Sequence, residues 1–242
     1  MIILYILGAV LALLLLYVLF LGVCSLLVSP HKEYKQDSPF YRFLLDSATA
    51  LALKLLRIKV HVSGFEKVPT DRKLLFVSNH RSNFDPIITW HVFKKWKLAF
   101  ISKESNFKIP FFGRIIRKCC FMAIDRSNPR KALSTIHSAA KLLRRQEVSI
   151  GVYPEGTRSK MGTLLPFHNG VFKIAQKADA AIVVMTVVGT EDIHKNTPLR
   201  TTNVYLDVLD IVPAERAKEA RTEALGAEIR NLIETNLEKR SF

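Results

Sequence analysis

The order of apolar and polar residues divides the chain into an apolar N-terminal part and a longer alternating part. Residues 2–28 are almost all apolar, and residues 1–30 contain no Lys, Arg, Asp or Glu. Residues 39–58 form a second apolar segment that charged side chains interrupt. The remainder alternates short apolar runs with helical patterns. This pattern predicts membrane-anchoring helices over residues 1–58 and a separate domain over residues 59–242.

Short apolar runs in the second part predict buried strands, and the segments between them have helical spacing. The predicted strands cover residues 74–78, 98–102, 121–124, 148–153, 181–188 and 203–209. The predicted helices cover about residues 86–95, 110–118, 129–146, 168–178 and 214–239. This alternation favours an α/β fold with a largely parallel or mixed sheet flanked by helices. In such sheets, functional residues gather at the carboxyl ends of strands.

The first apolar run exceeds the roughly 20 residues that a helix needs to cross a bilayer. A secretory signal peptide is the alternative, but its apolar core is usually about 7–15 residues long and follows a basic start. Whether the run spans the bilayer or lies in one leaflet stays open. Residues 39–58 predict either a helix that forms an interfacial hairpin with the first or an ordinary domain helix. If the first run spans the bilayer, the positive-inside tendency predicts a domain on the cytoplasmic face, because Lys32, Lys35 and Arg42 follow the run.

The formal net charge of +15 is concentrated in the second part. Residues 91–145 contain fourteen Lys and Arg but only Glu104 and Asp125 as acids. Such a surface favours anionic lipid headgroups or a phosphorylated substrate, while nucleic acid is disfavoured because no binding motif is present. The three cysteines provide no disulfide framework, which fits a reducing compartment. No metal-ligand spacing or dinucleotide fingerprint is present.

The segment from Ser78 to Pro86 places His80 five positions before Asp85, directly after a predicted strand. A neutral imidazole can accept a proton from an alcohol, and a carboxylate on its other nitrogen would fix the tautomer. No serine or cysteine stands beside the pair as a nucleophile. The pair therefore suggests a base that activates a substrate hydroxyl directly. The alternative is that Asp85 only caps a helix that begins at Pro86.

Two further segments contain residues suited to phosphate. After the strand at 148–153, Gly156 permits close backbone approach, Thr157 offers a hydroxyl, and Arg158 offers a planar fork. Glu155 repels phosphate, so we expect it to orient Arg158 or a substrate hydroxyl; an ordinary turn is the alternative. The other segment, residues 103–114, sets aromatic and aliphatic side chains among cations. These form either core packing or an acyl-chain or membrane-facing wall beside the phosphate-binding side chains of Lys103 and Arg126.

Together and in this order, these blocks resemble the 1-acylglycerol-3-phosphate acyltransferase family, the bacterial lysophosphatidate acyltransferases. The resemblance covers about residues 60–210. The family pattern Asn-His-x-Ser-x-x-Asp falls at 79–85, Pro-x-x-Gly with Ile-Asp-Arg at 110–113 and 124–126, and Phe-Pro-Glu-Gly-Thr-Arg-Ser at 153–159, with Tyr153 replacing Phe.

The resemblance implies acyl transfer from acyl-CoA or acyl carrier protein to the sn-2 hydroxyl of 1-acyl-sn-glycerol 3-phosphate. The product is phosphatidate, and neither a cofactor nor a metal is expected. His80 would be the general base and Asp85 its orienting partner. The implied substrate-binding residues are Ser82, Lys103, Arg126, Glu155, Gly156, Thr157 and Arg158. A backbone amide near residues 80–82 is one candidate for the oxyanion stabiliser.

Besides Tyr153, the sequence departs from the family pattern at two places. Residues 181–186 lack the Pro of the family's fourth block, and His168 and Asn169 stand where cations are usual. Another lysolipid acceptor is therefore an alternative. A different class of function is a non-catalytic membrane lipid-binding protein of the same fold.

Overall fold

In a computed structural model, which describes residues 1–159 and 162–240, seven strands form one sheet. The strands are β1 (Ile58–Ser63), β2 (Leu75–Ser78), β3 (Leu98–Lys103), β4 (Met122–Ile124), β5 (Ser149–Val152), β6 (Ile182–Val188) and β7 (Thr202–Val212). Their order across the sheet is β1-β7-β6-β2-β5-β3-β4. β7 is antiparallel to β6, and the other neighbouring pairs are parallel. The predicted α/β class with a mixed sheet is confirmed.

Helices precede, flank and follow the strands. They are α1 (Ile2–Leu26), α2 (Pro39–Leu55), α3 (Asp85–Val92), α4 (Phe112–Lys118), α5 (Pro129–Arg144), α6 (Lys173–Ala178), α7 (Ile193–Asn196), α8 (Ala214–Glu219) and α9 (Thr222–Arg240). α5 shows how the sequence determines a start: the Asn128 side chain accepts a hydrogen bond from the Lys131 amide, and Pro129 occupies the first helical position.

The structure differs from the sequence prediction at two element boundaries. The sequence predicts a helix to residue 58, whereas α2 ends at Leu55, Arg57 adopts a left-handed φ of 54°, and Ile58 begins the unpredicted strand β1. The predicted helix over 214–239 is two helices, because Ala220 after α8 has extended backbone with ψ of 144°. The proposed domain boundary between residues 58 and 59 stays a prediction.

The buried centre of the sheet determines where the site lies. Leu75, Phe76 and Val77 of β2 are fully buried, and Val77 pairs with Val152 of β5 and Val184 of β6. The carboxyl ends of these three strands therefore lie side by side. Polar residues that follow β2, β5 and β6 meet at this edge, as expected for parallel strands.

The N-terminal helices contact each other. The Tyr17 hydroxyl lies 2.7 Å from the Ser47 hydroxyl, and Tyr41 donates to the Cys24 carbonyl at 3.0 Å. Most side chains of α1 are exposed and apolar, and among the described residues α1 is the one helix long and apolar enough to cross a membrane. α2 buries Leu44 and Leu53 on one side and exposes Phe43 on the other. α1 and α2 thus contact each other through these two hydrogen bonds, while α2 packs mainly on α3, α4 and β1, as a helix of the α/β part does.

A buried ion pair attaches the segment after α1 to the sheet. The Arg42 guanidinium donates to Asp37 at 2.6–2.9 Å and to the Leu98 carbonyl, at the start of β3, at 3.1 Å. Both side chains are almost fully buried, and the guanidinium lies over the Trp90 ring at 4.6 Å. Arg42 is therefore neutralised inside the fold, and it does not contribute a free positive charge beside α1.

Candidate active site

The loop after β2 is attached to the neighbouring strand by one asparagine. Asn79 accepts a hydrogen bond from the Val187 amide and donates to the Val187 carbonyl, both at 2.9 Å. Asn79 is buried, so these bonds replace water contacts that its amide cannot make. The start of the loop, where His80 follows, therefore has a defined position relative to β6.

His80 and Asp85 are in direct contact. His80 Nδ1 lies 2.8 Å from Asp85 Oδ2, and the same oxygen accepts the amides of Arg81 at 2.7 Å and Ser82 at 2.8 Å. The Thr190 hydroxyl donates to Asp85 Oδ1. An ionised carboxylate only accepts hydrogen bonds, so we assign the proton of the His80 ring to Nδ1 and a free lone pair to Nε2.

The contacts of Asp85 decide between its two predicted roles. Asp85 is fully buried and begins α3, but its side chain makes no capping hydrogen bond to the helix. The carboxylate instead turns back to the preceding loop and to Thr190. The interpretation of Asp85 as a simple helix cap is therefore wrong.

An aromatic stack covers one face of the His80 ring. The Tyr153 ring lies 4.3 Å from it with an interplanar angle of 19°, and Phe100 stacks behind Tyr153 at 5.9 Å. Burial and the Asp85 carboxylate raise the pKa of Tyr153 well above its ordinary value, so this ring stays neutral. The His80 side chain is 17% exposed, and among the described residues its Nε2 has no hydrogen-bond partner. The proton-accepting atom is thus available to a substrate.

Glu155 supports the backbone of His80. Its Oε1 accepts the His80 amide at 2.6 Å, and its Oε2 accepts the Leu165 amide at 2.9 Å. Glu155 is 3% exposed, and burial raises the pKa of its carboxyl while the two amides oppose that rise. The expectation that Glu155 orients Arg158 is wrong, because a buried carboxylate requires N–H donors and the nearest ones are these amides.

The turn that contains Glu155 is tied to His80 at both ends. Beyond the Glu155 contact, the Ser159 amide donates to the His80 carbonyl at 2.8 Å. Gly156 between them has a φ of +68°, and a Cβ there would lie 2.8 Å from the His168 ring. Thr157 and Arg158 form the exposed tip of the turn. The turn that carries Thr157 and Arg158 therefore has a fixed position relative to the His80 backbone.

Ser82 and the amides around it are already engaged. The buried Ser82 hydroxyl accepts a hydrogen bond from the Phe84 amide at 3.2 Å, so it holds the turn before α3. The amides of His80, Arg81 and Ser82 all donate to carboxylates. The candidate oxyanion stabiliser among residues 80–82 is therefore wrong: no free amide is present there.

The predicted phosphate-binding cations lie along the same edge of the sheet. Lys103 ends β3, Arg126 follows β4, and Arg158 follows β5. β5 separates β2 from β3, which places Lys103 about 10 Å across the sheet from the His80 strand at the usual strand spacing. All three side chains are exposed, and in the described ranges none has an acidic partner. These cations are free to bind an anion.

The aromatic segment before α4 is partly packed in the core and partly exposed as an apolar surface, so each of the two predicted alternatives describes part of it. Phe107 is buried beneath the Arg117 guanidinium at 4.6 Å, as core packing requires. Ile109 and Phe111 are each 45% exposed, and the Phe111 ring contacts Gly22 of α1. The outer part of this segment therefore continues the apolar surface of α1.

Thr190 is the main site residue that the sequence prediction missed. It follows Gly189, whose φ is +92°, at the carboxyl end of β6. The sequence signal that could have identified Thr190 is its position just after the predicted strand that ends at the site. Over residues 1–159 and 162–240, no cluster of His, Cys, Asp and Glu side chains is arranged to hold a metal ion.

Comparisons with known proteins find the family that the sequence motifs resemble. A sequence profile described as Acyltransferase matches residues 59–188, more than half of the chain. The 1-acyl-sn-glycerol-3-phosphate acyltransferase of Salmonella typhimurium is 29% identical over 163 residues, 67% of this chain and 66% of that protein. The protein of the same name from Borreliella burgdorferi is 28% identical over 197 residues, 81% of this chain and 78% of its own length.

A solved structure shares the fold. The crystal structure of the 1-acyl-sn-glycerophosphate (LPA) acyltransferase PlsC from Thermotoga maritima superposes with a TM-score of 0.70 and 24% identity. The match covers 93% of this chain and 88% of that one. The chain spans about two thirds of the length of the Salmonella relative. With the His80 site and the profile match together, this chain is a member of the Acyltransferase family.

Proposed function

We propose that this protein transfers an acyl chain from an acyl thioester to the sn-2 hydroxyl of 1-acyl-sn-glycerol 3-phosphate, giving phosphatidate in phospholipid synthesis. The observation that carries the proposal is His80, whose Nδ1 is held by Asp85 and whose Nε2 is open, beside unpaired cations. The names of the Salmonella and Borreliella relatives support the same acceptor.

The chemistry needs no protein nucleophile. Nε2 of His80 takes the proton of the acceptor hydroxyl, and the oxygen attacks the thioester carbonyl carbon. The C–S bond then breaks, and the imidazolium returns its proton to the leaving thiolate. Asp85 stabilises the imidazolium through Nδ1, and Tyr153 keeps one ring face from water.

The cations provide the position of the acceptor. Arg158, Lys103 and Arg126 bind the phosphate, which brings the hydroxyl to Nε2; such positioning can contribute roughly 7–11 kcal/mol to the rate. The unusual residues His168 and Asn169 have packing contacts: the His168 ring lies against Gly156, and Asn169 lies against Gly226 of α9. The proposal therefore assigns the phosphate to the three cations and gives these two residues no part in binding it.

The N-terminal helices hold this chemistry at the membrane. We propose that α1 inserts its exposed apolar surface into the bilayer and that the α/β domain lies on the cytoplasmic face, at the inner membrane in a bacterium; the exposed Lys32 and Lys35 after α1 favour this side. All three native cysteines are buried, so Lys35→Cys offers one reactive thiol. We expect an impermeant maleimide to label this variant only after cells are permeabilised; labelling of intact cells would reverse the orientation.

The activity is tested with the full chain in detergent micelles. Lysophosphatidate and other lysolipids are offered as acceptors, each with acyl-CoA or acyl carrier protein as donor, beside His80→Ala. We expect acylation of lysophosphatidate that falls by orders of magnitude in the variant. Full turnover by His80→Ala would refute the mechanism. Preference for another lysolipid would change the acceptor, and no turnover with any acceptor would identify a lipid-binding protein.

A further inference from the structure

We infer that Arg230, on the C-terminal helix α9, is a positioning residue for the general base. Arg230 lies outside the segment that matches the Acyltransferase profile. It acts through one peptide group and Glu155 on the main chain of His80. The inference rests on the proposed function, because His80 is its endpoint.

The guanidinium of Arg230 binds the loop that follows the Glu155 turn. Nη1 donates to the Leu165 carbonyl at 2.5 Å, and Nη2 donates to the Leu164 carbonyl at 2.9 Å. Its other hydrogen bond is longer, to Glu234 at 3.4 Å. Both loop contacts are charge-assisted, which makes them stronger than neutral hydrogen bonds.

A single peptide group connects this clamp to Glu155. The peptide between Leu164 and Leu165 accepts from Arg230 at its oxygen and donates to Glu155 Oε2 at its nitrogen, at 2.9 Å. Hydrogen bonds on both ends of a peptide polarise each other. Glu155 Oε1 then accepts the His80 amide at 2.6 Å. The path from Arg230 to His80 is therefore a continuous series of short hydrogen bonds.

The helix that carries Arg230 has a fixed place on this loop. A Cβ on Gly226, one turn earlier in α9, would lie 2.1 Å from Asn169 Oδ1, so the helix is in close contact with the loop. The Arg230 guanidinium also lies 5.7 Å from the Phe167 ring. α9 thus contacts the loop through Gly226 and through Arg230. Of these two residues, Arg230 is the one whose hydrogen bonds lead to Glu155.

The consequence concerns the charge of Glu155. Burial raises the pKa of this carboxyl and the Leu165 amide lowers it, so displacing that amide raises the pKa further. A protonated Glu155 is a weaker acceptor for the His80 amide. Activity that requires the ionised form is then lost at a higher pH as the solution is acidified.

The test uses Arg230→Met and Arg230→Lys in the full chain, with Arg216→Met as the matched control. Arg216, on α8, donates to Glu228 of α9 at 2.8 Å, but it is exposed and has no hydrogen bond to the loop among the described residues. We expect kcat of Arg230→Met to fall about ten- to a hundredfold with little change in KM, and the acid limb of its pH profile to move to higher pH. Arg230→Lys restores part of both, and Arg216→Met matches the wild type.

Hydrogen exchange of the His80 amide is followed in parallel, because it does not depend on the acceptor or on turnover. We expect faster exchange in Arg230→Met and unchanged exchange in Arg216→Met. A wild type that is inactive on lysophosphatidate refutes the proposed function, while the exchange result still decides the role of Arg230. Unchanged exchange in Arg230→Met overturns the inference, as does an equal kcat loss in Arg216→Met. If Arg230→Met does not fold, the same comparisons are made with Arg230→Lys.

Discussion

The two sides of this site are built in opposite ways. On one side, Asp85 and Glu155 are buried, and their oxygens accept amides, a hydroxyl and the His80 ring. On the other side, Lys103, Arg126 and Arg158 are exposed and without acidic partners among the described residues. Under the proposed function, the difference means that the base is organised before substrate arrives, whereas the cations obtain their partner from the substrate.

Asp85→Asn should have the largest effect of the three substitutions that test this comparison. An amide is uncharged, so it does not stabilise the imidazolium that forms at His80. Its NH2 group also replaces one of two accepting oxygens, and it then faces either the Thr190 hydroxyl or the donors from His80, Arg81 and Ser82. We expect kcat to fall about 10³–10⁴-fold, the size seen for such a change in serine protease triads. Steady-state kinetics measure it, with exposed Asp210→Asn as control. A loss confined to KM would contradict the separation of the two sides.

Arg158→Gln tests the exposed side. It removes the charge at the tip of the turn and leaves the Glu155 and Ser159 contacts with His80 in place. We expect KM for lysophosphatidate to rise about ten- to a hundredfold, the value of hydrogen bonds to a charged group, with kcat nearly unchanged. Arg145→Gln, at the opposite edge of the sheet, is the control. If kcat falls instead, Arg158 belongs to the chemical step.

Thr190→Val should give the smallest effect. It removes the hydroxyl that donates to Asp85 and keeps the shape of the side chain. We expect kcat to fall about three- to tenfold at constant KM, and Thr190→Ser to retain activity. Thr186→Val, which removes a buried hydroxyl on β6 bonded to Asn236, is the control. An effect as large as that of Asp85→Asn would show that Thr190 does more than hold the carboxylate.

Most strands, and the edge of the sheet where their carboxyl ends meet, could be predicted from the sequence, because both depend on the local pattern of apolar residues. The apolar run before Ser78 and the one before Tyr153 both predict strands that end at the site. β1 was missed because its alternation of Lys59 and His61 with apolar residues directly follows an apolar helix.

The supporting contacts were not accessible, for a physical reason. Glu155 binds backbone amides of His80 and Leu165, and every residue except proline carries such an amide, so no residue type marks the partner. Thr190 and Arg230 reach the site from distant parts of the chain. Only the packing of β6 and α9 against the loops brings them there.

The buried ion pair of Arg42 and Asp37 has a consequence for where the reaction takes place relative to the membrane. Arg42 ties the segment after α1 to Leu98, the first residue of β3, and Lys103 is the last residue of that strand. A strand of this length spans about 20 Å. The segment that follows β3 also reaches α1, because the Phe111 ring lies against Gly22. With α1 inserted in the bilayer as proposed, both ends of β3 are connected to the membrane helix, so rigid elements and not a flexible linker determine where the catalytic edge lies relative to the lipid.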